Sequence, residues 1–138
     1  MKKLNIYLDV DGVLRGTASP KSDIIELLEY CLAHHPTSTY WLTTHCKHGE
    51  NRVDRALRGE FPDELVEQIY NTFQPTDWDV LKTDAIDFAS DFVWFDDNLL
   101  WSEKAMLKKH DALDKFFRMN PRDPSMAQKA LEFLTKQK

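Results

Sequence analysis

Two aspartates one residue apart, Asp9 and Asp11, close a short apolar run near the amino terminus and are followed at once by Gly12. An isolated carboxylate at the end of a buried strand is expensive to desolvate, so acids in that place argue for a chemical task. Three further polar signatures follow apolar or turn-forming segments: Thr43 and Thr44 after Tyr40-Trp41-Leu42, Lys82 at the opening of a short helical stretch, and Asp96-Asp97 after Phe92-Val93-Trp94-Phe95. Carboxylates brought together repel one another unless a cation neutralises them, and oxygen ligands with no Cys or His among them suit Mg²⁺. Mg²⁺ keeps several waters and usually binds through one or two carboxylates plus a substrate phosphate. Lys82 would add a fixed positive charge and Thr43 a neutral hydroxyl donor, a set complementary to a phosphoryl group.

These residues are scattered along the chain, so elements of the fold must gather them. Residues 4–8 read as a buried strand, followed by a Gly, Ser and Pro loop over residues 15–20. Ser22 or Asp23 is placed to cap an amphipathic helix that ends before Pro36. Residues 38–45, β-branched and aromatic, suit a second strand; 52–58 and 63–70 read as helices; and a third strand fits best at 69–73. A short helix over 82–89, a buried strand over 91–97, a helix over 99–110, a strand over 113–119 and a Pro-led helix over 123–138 complete the chain. This alternation predicts an α/β, Rossmann-like three-layer sandwich: a mostly parallel sheet with helices on both faces, in one domain over residues 1–138. In such sheets ligands sit outside the carboxyl ends of the strands, and Asp9, Asp11, Thr43, Thr44, Asp96 and Asp97 all fall there.

In their order along the chain, "DVDGVL", the Thr closing "YWLTT", the Lys of "LKTDAI" and the doublet of "VWFDD" resemble the four motifs of the haloacid dehalogenase-like (HAD) superfamily, and together they cover nearly the whole chain. The resemblance implies a phosphomonoesterase in which Asp9 attacks phosphorus to form an aspartyl phosphate. Asp11 would protonate the leaving oxygen and then activate water. It further implies Mg²⁺ held by Asp9, by the backbone carbonyl of Asp11 and by Asp96, with Asp97 in support. Gly12 would let the backbone turn close beside the phosphate. Thr43 and Thr44 are both candidates for phosphate binding, but neighbouring strand residues face opposite sides, so one of them is expected to serve. Thr43 is favoured because it directly follows the apolar run. The gaps between motifs leave no room for a separate cap domain, so the site should be open to a large phosphorylated substrate.

Composition narrows the partners. A net charge of −5 over 138 residues argues against a broadly basic nucleic-acid surface, although a phosphorylated polynucleotide end stays as an alternative substrate. A receiver-like phosphoacceptor or a phosphate-binding module without turnover is the non-enzyme alternative; the early acid pair opposes a receiver. Two cysteines suit free thiols in the cytoplasm, and no apolar run is long enough for a bilayer or a signal-peptide core. His45, Cys46 and His48 lack a fourth zinc ligand and read as a polar loop. Arg52, Arg55 and Arg58 fit an exposed helix face paired with Glu50 and Asp54 better than the mouth of a site. Phe73, Trp78 and Trp101 fit core or rim positions better than a stacking platform.

Overall fold

The structure is a computed structural model that describes residues 3–137. Its centre is a five-stranded sheet in the order β3-β2-β1-β4-β5, built from β1 (Leu4–Leu8), β2 (Thr39–Trp41), β3 (Gln74–Pro75), β4 (Asp91–Asp96) and β5 (Phe116–Arg118). Every pairing is parallel. The helices are α1 (Lys21–His34), α2 (Val53–Leu57), α3 (Asp63–Thr72), α4 (Trp101–Lys109) and α5 (Met126–Thr135).

Side-chain alternation along the strands sorts two cores onto opposite faces. Ile6, Leu8, Trp41, Val93 and Phe95 point into a large cluster with residues of α1, α2, α3 and α5. Tyr7, Leu42, Phe92 and Trp94 point the other way, into a smaller cluster with Trp78, Ile86 and Leu107 of α4. The result is the three-layer Rossmann-like α/β sandwich expected, with an all-parallel sheet and no cap domain among the described residues. Strand order runs outward through β2 and β3 on one side of β1 and through β5 on the other side of β4, so the topological switch lies between β1 and β4.

Several boundaries differ from the sequence expectation. Residues 69–73 are not a strand: α3 continues to Thr72, because Val66 and Ile69 extend its buried stripe, and the third strand is the two-residue pairing of Gln74 and Pro75 with Tyr40 and Trp41. Helix α1 starts at Lys21 with Pro20 at its N-cap and no side-chain cap, so Ser22 and Asp23, the expected caps, both lie in its first turn. Residues 82–89 form only a 3₁₀ turn at Lys82–Ala85, and Leu113–Lys115 is likewise a 3₁₀ turn leading into β5. The carboxyl-terminal helix spans Met126–Thr135, short of the expected 123–138, and Met1, Lys2 and Lys138 lie outside the described residues. Among the described residues no helix is long and apolar enough to cross a membrane.

Candidate functional site

The register of the two central strands makes the site. Leu8 of β1 pairs with Phe95 of β4, so one residue further on Asp9 and Asp96 stand side by side, and Asp9 N–H donates to the Phe95 carbonyl at 3.1 Å. Period two puts both side chains on the α4 face, with Tyr7 and Trp94 beneath them. The chain leaves the strand there, and Asp97 turns in as well. Carboxylate oxygens of Asp9, Asp96 and Asp97 all lie within 4.8 Å of one another, the one such cluster of potential metal ligands among the described residues. His45, Cys46 and His48 form no second group: the Cys46 thiol is buried and donates to Asn51 Oδ1, and His48 lies exposed.

Lys82 reaches into this cluster, its ammonium 2.7 Å from Asp96 Oδ2 and 3.4 Å from Asp9 Oδ2. Asp96 is 1% exposed. Burial and the neighbouring Asp9 push its carboxyl up to about 6, against the pull of Lys82. One ammonium therefore does not balance the buried negative charge. Asp97 is raised too, first by burial and then by its bond to Asp96. Burial disfavours the Lys82 cation, but Asp9 and Asp96 outweigh it and hold its value above the ordinary one. A cluster of hard oxygens with surplus negative charge fits a small divalent cation such as Mg²⁺, with Asp9, Asp96 and Asp97 as its holders.

Gly12 has φ +78°, and a Cβ there would overlap the Asp97 carboxylate. Its bare backbone therefore makes room for a member of the cluster. The threonines come out opposite to the expectation that favours Thr43. Thr43 is fully buried, its hydroxyl accepting from His45 N–H at 3.3 Å and capping the 3₁₀ stretch Thr44–Gly49. Thr44 is exposed and lines the cavity over the carboxylates. The parity that sends Tyr40 and Leu42 to the α4 face selects residue 44 rather than 43.

Asp11 is not in the cluster. Its half-exposed carboxylate accepts from Arg15 Nε and lies 2.9 Å from His45 Nε2, while Arg15 Nη1 is anchored on the Ala56 carbonyl at 2.6 Å. Burial raises the Asp11 carboxyl, but the bonds from Arg15 and His45 prevail and hold it below the usual range. The metal role given to Asp11 by the resemblance uses its backbone carbonyl and not this side chain. Arg52 and Arg58 pair with Glu50 and Asp54, and none of Arg52, Arg55 and Arg58 lines the carboxylate cavity.

Two contributors, Glu103 and Arg118, escape the sequence reading, while Trp78, read as core or rim, packs in the smaller core and lines the cavity. Glu103 of α4 is 3% exposed and binds the backbone on both sides, accepting from Lys82 N–H at 2.8 Å and Leu100 N–H at 3.0 Å. Its three-residue spacing from Leu100 is half a capping box, hidden because the cap position holds no Ser or Thr. Trp78 donates to the Thr43 carbonyl at 3.4 Å and carries the Lys47 ammonium 4.7 Å above its ring. Arg118 of β5 donates to the Asp97 carbonyl at 3.2 Å.

The cavity above the carboxylates holds about 340 Å³ and opens to solvent between the 75–81 segment and the start of α4. A larger hollow of about 440 Å³ lies between α2 and α3, but it contains none of the clustered carboxylates and no buried cation. No protein-family model, curated protein or solved structure matches the chain.

Proposed function

We propose that this protein is a Mg²⁺-dependent phosphomonoesterase of the HAD type, working in the cytoplasm. The observation that carries the reading is the set of Asp9, Asp96 and Asp97 within 4.8 Å, joined by Lys82, at the switch point of a parallel sheet. The order of the four motifs in which these residues stand supports it as well. A bound Mg²⁺ supplies charge neutralisation for a phosphate dianion approaching three carboxylates.

In the proposed reaction an Asp9 oxygen attacks phosphorus, the bond from phosphorus to the ester oxygen breaks, and the departing alkoxide takes a proton from Asp11. Asp11, now a base, removes a proton from water, which attacks the aspartyl phosphate. Inorganic phosphate leaves, Asp9 is restored as carboxylate and Asp11 is again protonated. Lys82 offsets the charge gathered by the phosphoryl oxygens, and Thr44 offers them a hydroxyl. For the acid step Asp11 must let go of Arg15 and His45 and rotate toward the cavity.

The test is phosphate release from an aryl phosphate with and without Mg²⁺, in the wild type and in Asp9→Asn. Turnover that needs the metal and vanishes in the variant, with the fold intact by circular dichroism, is expected. Equal rates in the two proteins remove Asp9 as nucleophile. Asp11→Asn should slow poor leaving groups most, and a uniform loss across leaving groups counts against its acid role.

The clamp on Asp11 favours one second reading, a phosphoacceptor or phosphate-binding module without turnover. In that case acetyl phosphate would leave Asp9 stably phosphorylated, detectable as a mass increase that persists for hours in the wild type.

A further inference from the structure

Among the described residues four large hydrophobic side chains are more than a third exposed: Val80, Leu100, Trp101 and Leu113. Scattered singly they would need no explanation, because folded surfaces are largely apolar. Two of the four, however, meet at one mouth. Val80, 70% exposed, and Leu100, 46% exposed, both line the cavity that Asp9, Asp96 and Lys82 floor, whereas Trp101 lies against Lys104, Ala105 and Lys108 of α4 outside it. Val80 comes from the segment after β3 and Leu100 from the N-cap of α4, so separate parts of the chain bring apolar groups to the rim of one charged pocket. The Trp78 ring forms part of the same wall.

The positions are held, not incidental. Glu103 ties Leu100 N–H and Lys82 N–H with its two oxygens, so the apolar rim and the lysine of the floor share one brace. Thr44, Lys47 and Asn98 are the other polar side chains, beside the acids and Lys82, that line this cavity. Ligand sites of this kind bury an apolar body against apolar walls and fix its orientation with a few polar groups.

The geometry points to selection of phosphomonoesters whose alcohol portion is apolar, an arylalkyl or comparable group, over those of polyols and sugars. The phosphate would meet Lys82 and the clustered carboxylates with their cation, and the alcohol portion would lie between Val80 and Leu100. This inference rests on the phosphomonoesterase reading for the chemistry but makes its own claim about the rim.

The test compares kcat/KM for benzyl phosphate and glycerol 1-phosphate in the presence of Mg²⁺. Both are esters of primary alcohols, so the ratio reports recognition more than leaving-group chemistry. The wild type should favour benzyl phosphate by about tenfold, the scale on which apolar pockets discriminate. The ratio should fall severalfold in Val80→Ser and further in Val80→Ser with Leu100→Ser, where the new hydroxyl also suits the helix N-cap. A ratio near one in the wild type, or one unchanged in the double variant, overturns the inference while leaving the hydrolase reading standing. If neither ester is cleaved, the hydrolase reading fails alone, and calorimetry with benzylphosphonate and methylphosphonate decides the rim. Tighter benzylphosphonate binding that the double variant loses supports it; equal affinity, or no binding of either, overturns it.

Discussion

Asp96 offers the sharpest test of how this site is held together. Burial, followed by the nearby Asp9, raises its carboxyl from an ordinary 3.8 to about 6, and at 1% exposure the group has almost no solvent to screen it. A carboxyl whose value is raised on folding contributes stability that is complete below its unfolded value and is lost as pH rises through its folded value. Taken over both values, the ionised form costs about 3 kcal/mol relative to the unfolded chain. Between about pH 5 and about pH 7.5 the loss attributable to this group is on the order of 1 kcal/mol. His35, lowered by burial, works in the opposite direction across the same window, so the informative quantity is the difference between wild type and Asp96→Asn. Urea unfolding of metal-free protein, followed by the fluorescence of buried Trp41 and Trp94, should show the variant gaining on the wild type by that amount as pH rises. Mg²⁺ at about ten times its Kd should then stabilise the wild type at about pH 7.5 by about 1.4 kcal/mol and the variant by much less. A difference between the two proteins that stays flat with pH, or equal stabilisation of both by Mg²⁺, would refute the claim that Asp96 is a buried, under-compensated charge awaiting a cation.

Lys82→Met removes the one cation paired with Asp9 and Asp96 among the described residues, and breaking a buried pair in this way should lower unfolding stability by about 3–5 kcal/mol at neutral pH, with Mg²⁺ recovering part of it. A loss below about 1 kcal/mol in denaturant titration would mean the pair is solvated. Gly12→Ala forces a left-handed backbone on alanine and drives a methyl group into the Asp97 carboxylate. It should cost about 1–3 kcal/mol and weaken Mg²⁺ binding by calorimetry, and unchanged affinity would separate Gly12 from the metal. Glu103→Gln gives up one of two acceptors, for an expected loss of about 1–3 kcal/mol, and should lower kcat through a displaced Lys82 more than it raises KM. A pure stability change with kcat intact would reduce Glu103 to a helix brace.

What could be read from the chain before any coordinates follows from how far each physical rule reaches. The alternation of apolar strands with helices fixes a parallel sheet, and a parallel sheet fixes which strand ends share an edge, so Asp9, Asp96 and Asp97 could be gathered from spacing, while Lys82, which opens a helical turn, joins them through its companion motifs. Side-chain parity was also within reach, since Tyr40 and Leu42 on the α4 face point to Thr44, yet adjacency to the apolar run favours Thr43. The orientation of Asp11 was not legible. It depends on an arginine four residues on, anchored at Ala56, and on a histidine in a 3₁₀ stretch across the sheet, contacts that no periodicity encodes. Glu103 was hidden for a related reason: in sequence it is one acid on an exposed-looking helix, and only the docking of that helix over Lys82 buries it against two amide donors. Local rules thus locate the carboxylates because a strand carries them to a defined place. The groups that restrain them come from loops and helix starts, whose placement depends on tertiary packing. It follows that substitutions at Arg15, His45 and Glu103 should alter rate and selectivity more than fold, since they act on the pose of groups the sheet has already delivered.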